Sequence, residues 1–192
     1  KPGPSCFDGK QNQGEEGIDC GEVCGLVCLP PGLEQIGVLG RPYFFEPQEN
    51  RTTVIMTVQN PNRSHAAKSF EYEAAIYGPN KGLVKTIPGK SFAYAEELKY
   101  IIFPNLSTPR RSIERVDLRI RNSDWVKRED FEKPNLIVQD QETILEEKRI
   151  VVQGKVTNHD TIAFPRVRVV AIFYGTLGQP DGASETEIAD LL

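Results

Sequence analysis

Apolar and polar residues alternate with a period of two along most of the chain past its thirtieth residue, and this constrains the fold more than any other feature. "TTVIMTV" places Val54, Met56 and Val58 on one face, and "FEYEAAIY" sets Tyr72, Ala74 and Ile76 opposite Glu71 and Glu73. "RVDLRIR" aligns Val116, Leu118 and Ile120, and "PRVRVVAIFY" aligns Val167, Val169, Ala171 and Phe173. Such runs are half-buried strands of antiparallel sheets. The 14 prolines and 16 glycines gather between them in turn-forming stretches such as "YGPNKG", "QNPNRS" and "YGTLGQPDG". Helical periodicity is almost absent: the acidic "DQETILEEK" admits a turn or two of helix. The expected class is all-β.

An internal repeat organises these strands. "TVQN" at 57–60 followed by "AIYG" at 75–78 corresponds to "KVTN" at 155–158 followed by "IFYG" at 172–175. In each copy a strand ends at an Asn, a polar loop follows, and a second strand ends in Tyr-Gly before a turn. Two tandem immunoglobulin-like β-sandwich modules after a small stapled segment is the economical reading. The expected divisions are 1–32 for the stapled segment, 33–125 for the first module and 126–192 for the second. The charged "NSDWVKREDFEKPN" breaks the alternation and serves as the boundary, with Trp125 expected to pack the modules together. After Tyr77 come two further strand patterns, "LKYIIF" and "RVDLRIR", whereas after Tyr174 comes only "GASETEIADLL". The second module is therefore expected to be short of strands, to be completed by chain beyond Leu192 or by a neighbouring subunit.

All four cysteines, Cys6, Cys20, Cys24 and Cys28, lie in the opening "SCFDGKQNQGEEGIDCGEVCGLVC". The spacing C-x13-C-x3-C-x3-C lacks the paired C-x-x-C knuckles of a zinc site, and His65 and His159 lie far downstream. No C-x-x-C opens a helix, as a thioredoxin-like redox motif requires. Two disulfides, in any of three pairings, are expected, and with them an oxidising location: extracellular, periplasmic or cell surface. Asp8, Asn12, Glu15 and Asp19 offer oxygen ligands that a calcium ion would accept, although Lys10 and Gln13 occupy places where a helix-flanked calcium loop needs an acid and a glycine. The segment resembles a short module of bacterial surface and secreted proteins, of pattern C-x-D/N-G-x-x-N/D-G-x-E-x-G-x-D-C-G-G-x-C-x-x-C. It departs at Glu22 and in the gap before Cys28. The resemblance implies a cell-envelope context.

The second copy, "VVQGKVTNHDTIAFPRVRVVAIFYGTLGQPDGASETEIADL", resembles an FxLYD domain, an immunoglobulin-like sandwich of prokaryotic envelope proteins related to the water-stress domains of late embryogenesis abundant proteins. Gly154, Val156 and Asn158 match its Gly-x-Val-x-Asn strand end, and Tyr174 and Gly178 match its closing Tyr and turn. Ala171, Phe173 and Gly175 stand where the family has Phe, Leu and Asp. The resemblance implies a fold and brings no catalytic residue set.

Chemistry is hard to find in the sequence. A net charge of −4 with scattered basic residues argues against nucleic acid. "RRSIERVDLRIR" is interrupted by Glu114 and Asp117 and reads as the solvated face of a strand. His65 and His159 sit in polar loops without a nucleophile elbow, and the pairs Glu96–Glu97 and Glu146–Glu147 lie in hydrophilic runs. No apolar run approaches the ~18 residues needed to cross a bilayer. A chain starting at Lys1 is expected to be mature or trimmed. The sequons at Asn50, Asn62 and Asn105 read as chance matches. The expectation is a non-enzymatic structural or adhesive surface module, without cofactor, that meets a protein partner or neighbouring subunit. The alternative is a module that binds calcium or a glycan.

Overall fold

The computed structural model describes residues 5, 6, 8–25, 28–147 and 149–192. Ten strands dominate: β1 (Gly37–Gln48), β2 (Arg51–Gln59), β3 (His65–Tyr77), β4 (Leu83–Ala93), β5 (Leu98–Leu106), β6 (Arg115–Lys127), β7 (Leu136–Glu146), β8 (Arg149–Asn158), β9 (Phe164–Tyr174) and β10 (Pro180–Leu191). Helix among the described residues is confined to single 3-10 turns at 22–24, 110–112 and 128–130. The chain is all-β, as its alternation requires. It divides into two compact units, Lys1–Glu132 and Lys133–Leu192.

In the first unit, two three-stranded antiparallel sheets, β1-β2-β5 and β4-β3-β6, form a sandwich. The chain crosses between sheets at β2–β3, β4–β5 and β5–β6. The facing sides meet in a core that includes Val54, Met56, Val58, Phe70, Ala74, Ile76, Ile101, Phe103, Val116 and Leu118. The alternation thus delivers the expected residues inward. Burying one such side chain stabilises the fold by about 1.5–3 kcal/mol. β2 goes beyond the half-buried pattern: Thr53 and Ile55 on its other face are also buried. Ile55 lies between Tyr43 on β1 and Ile102 on β5, both apolar cross-strand partners.

Two local expectations are corrected. The stretch from Asp140 to Glu146, read as a turn of helix, belongs to β7 and pairs with β8; Lys148, which ends it, lies outside the described residues. Short charged runs carry little helical signal of their own, and the ladder to Arg149–Gln153 decides the outcome. Trp125 is not in a linker. It lies on β6 opposite Ala67 and packs against the core of the first unit. Positive φ at Asn122 (49°) and register shifts where β3 meets β6 locally break the period of two, which is why alternation is lost there in the sequence.

The second unit has two hairpins, β7-β8 and β9-β10. They repeat several features of β1 to β4. Val38 faces Val58, and Val138 faces Val156; the register then breaks after Leu39 and after Gln139, beside Gly40 (φ 67°) and Asp140 (φ 52°). Tyr77 pairs with Leu83 before a shift to Ile76–Lys85, and Tyr174 pairs with Pro180 before a shift to Phe173–Gly182. The intervening turns also match. Gly78 N donates to Gly82 O and Lys81 N to Gly78 O; Gly175 N donates to Gln179 O and Gly178 N to Gly175 O. Lys81 and Gly178 both take positive φ. Shared bulges and turns of this kind are specific features of a module.

Candidate functional site

The opening segment is held by two disulfides, Cys6–Cys24 and Cys20–Cys28, with Cα separations of 5.6 and 5.0 Å. No free cysteine is present among the described residues. The two crosslinks resolve the three open pairings and point to an oxidising, non-cytoplasmic location. Gly17 is required by the second crosslink, since a Cβ there would lie 2.8 Å from the Cys20 sulfur and 3.0 Å from that of Cys28.

The acidic residues of the segment organise backbone. Asp19 accepts Asp8 N–H at 3.1 Å and Gly9 N–H at 2.8 Å, one on each carboxylate oxygen. Buried Glu15 accepts Asn12 N–H at 3.0 Å and Asp19 N–H at 3.3 Å on Oε2. Asp8 accepts Lys10 N–H at 3.0 Å, and the Asn12 amide donates to both Asp8 oxygens. A loop without a core of its own must satisfy its N–H groups locally, and carboxylates do so with charge-assisted bonds. Asp8, Asn12, Glu15 and Asp19 are therefore one network. Two acceptors are left over: Asn12 Oδ1, buried without a hydrogen-bond partner, and Glu15 Oε1, 3.3 Å from the Cys24 sulfur, which as a disulfide sulfur has no proton to give. Cys6, Glu15 and Cys24 also bring ligand atoms within 4.8 Å of one another. Their sulfurs are bonded to each other, so neither is a thiolate.

A second polar cluster lies at the end of the first sandwich, and sequence reasoning passed it over. Asn60 is fully buried. Its Nδ2 donates at 2.9 Å to His65 O and to Tyr94 O, and its Oδ1 accepts Asn62 N–H at 3.0 Å and Asn62 Nδ2–H at 2.9 Å. Asn62 in turn clasps Glu34, donating to its carbonyl at 2.8 Å and accepting its N–H at 2.9 Å. Three loops are tied at one point. The buried, doubly engaged Asn62 amide is held inside the fold and is no surface sequon. The Asn-x-Asn spacing after a strand was the available signal, and Asn158-x-Asp160 repeats it. Asn158 donates to Ile162 O at 2.8 Å and accepts Asp160 N–H at 2.9 Å, while Asp160 accepts Asn135 N–H at 2.9 Å.

Of the histidines, His65, half-buried at the start of β3, touches Ser64 Oγ through Nδ1 at 3.0 Å, and His159 N–H donates to Asn135 O through its backbone. Glu96 pairs with Arg63 and Arg128 at the surface, while Glu97 accepts Tyr94 N–H at 2.8 Å. Tyr94 stacks on Phe131, their centroids 5.0 Å apart, and burial together with the Glu97 charge pushes its hydroxyl up to about 12. A cavity of about 430 Å³ opens on the β4-β3-β6 sheet around Tyr72, Gly89 and Arg121. There a hydrogen bond from Lys90 and another from Asn122 hold the Glu71 carboxyl below its ordinary range.

No family model, curated protein or solved structure matches the chain.

Proposed function

We propose that this chain is a non-catalytic structural or adhesive module of an extracellular or cell-envelope assembly. The observation that carries this reading is the work done by its polar side chains. Asp19, Glu15, Asn60, Asn62, Asn158 and Asp160, the residues best suited to ligand or proton chemistry, each hold loop backbone. The disulfides and the resemblance to FxLYD and bacterial surface modules support the envelope location. A calcium-binding opening segment is the second reading, favoured by the unpartnered Asn12 Oδ1. Sedimentation of the full chain over a wide concentration range, with calcium and with chelator, tests both. Concentration-dependent association indifferent to calcium supports the assembly role. A monomer at every concentration whose melting temperature falls with chelator supports the calcium reading instead.

A further inference from the structure

The outer face of the β4-β3-β6 sheet carries charges that its own pairing leaves uncommitted. The register sets Glu71 opposite Lys90 on β4 and Arg121 on β6, and Glu73 opposite Pro88 and Arg119. Opposite charges that face each other across strands ordinarily pair. Glu71 does so with Lys90 at 2.8 Å and accepts a further bond from the Asn122 amide at 2.9 Å, so both of its carboxylate oxygens are engaged. Arg121 stands directly opposite yet makes no ion pair or side-chain hydrogen bond among the described residues, and Glu73 makes none either. The cavity of about 430 Å³ lies between these two free charges, with Glu73, Pro88, Lys90 and Arg121 on its walls and Tyr72 and Gly89 as its floor. Small-molecule sites span about 300–1,000 Å³. The floor is held from beneath: the Tyr72 ring packs on the core side of the sheet, leaves no room for a Cβ on Gly89, and meets Phe103 edge-on with ring centroids 6.0 Å apart. A site on strands backed by a core is preorganised. Because β4 is the edge strand, a ligand longer than the cavity can run out across it.

We propose that this face binds a carboxylated saccharide. The Arg121 guanidinium takes the carboxylate in a two-pronged hydrogen bond, and Glu73 accepts from ring hydroxyls. The C–H face of the sugar lies against Pro88 and the methylene stem of Lys90. Each part of the ligand answers one observation. A purely anionic ligand would set like charge against Glu73, and a neutral sugar would make no use of Arg121. The proposal rests on the adhesive reading and names what is adhered to.

The test follows amide shifts of the isotope-labelled full chain by NMR during titration with trigalacturonate, with trimannuronate and with the methyl esters of both, in which the carboxylates are masked. The expected result is saturable shifts confined to residues 71–73, 88–90 and 121 with at least one of the two acids, and affinity for its ester lower by about tenfold or more. Arg121→Gln should weaken binding of the acid by about tenfold, and Glu73→Gln by a few-fold. Both variants should keep the melting temperature, since neither side chain is paired in the free chain. Absence of a saturable shift with either acid up to tens of millimolar overturns the inference. So does equal binding of acid and ester, or undiminished binding by Arg121→Gln. Free glutamate that shifts the same residues at equal affinity would make the site one for a zwitterion and overturns the saccharide as well. Concentration-dependent association is measured separately, so each of these failures leaves the assembly reading standing.

Discussion

Asn60 and Asn158 occupy one position in two environments, and they should respond to the same substitution differently. Asn60→Ala removes a buried group that satisfies two carbonyls and an N–H, and leaves them unpaired. The expected loss is about 2–4 kcal/mol in the first unit, since each orphaned buried polar group costs about 1–3 kcal/mol. Asn158→Ala acts at a site that is only partly buried and should cost about 1 kcal/mol or less, because water reaches the freed groups. Denaturant unfolding of the two variants checks the difference. Tyr94 makes a residue-scale prediction in pH. Its hydroxyl rises from 10.0 to about 12 on folding, so the folded chain holds this proton more tightly. The stability it confers is whole below pH 10 and is lost as pH rises through 12. Tyr94→Phe should flatten that alkaline decline, and equal slopes in both proteins would remove Tyr94 as its cause.

At the scale of elements, the opening segment and the strands are stabilised by different means. Every cysteine lies ahead of β1, and the hydrophobic core of the first sandwich contains none among the described residues. Reduction of both disulfides should raise hydrogen exchange in residues 8–25 while leaving β2 and β3 protected, because a crosslink acts mainly on the loop it closes. Loss of protection in β2 on reduction would show that the segment braces the sandwich. The element scale also shows the reach of the sequence. The inward faces of β2, β3, β6 and β9 were legible because a period of two leaves one way to bury them. The β7 stretch was misread because its charges mask the pattern. The end of β6 was misread because a bulge interrupts the alternation just before Trp125.

Across the whole molecule, a built core and an open one should unfold separately. The buried hydrophobic residues named for the core all fall between Ile36 and Leu118, so the second unit rests on hairpins with half-exposed faces. Thermal unfolding followed by hydrogen exchange should show β7 to β10 opening first and β2 and β3 last. A single cooperative transition across all strands would contradict this.

The sequence alone determined the strand-rich class, the repeat and the residues that face inward, because each depends on local spacing along the chain. It also brought the four cysteines together in one segment, though not their pairing, which depends on where Gly17 lets two sulfurs approach. The acids at 8, 15 and 19 were visible as oxygen donors, but only the folded loop shows them turned onto backbone N–H groups. The clamp at Asn60 and Asn62 joins residues 34, 65 and 94, a meeting no sequence period encodes. The pairing of β8 with β7 and of β9 with β10 was likewise decided by tertiary structure. A strand's alternation states which face is buried, and only its neighbours in space settle whether each edge is paired.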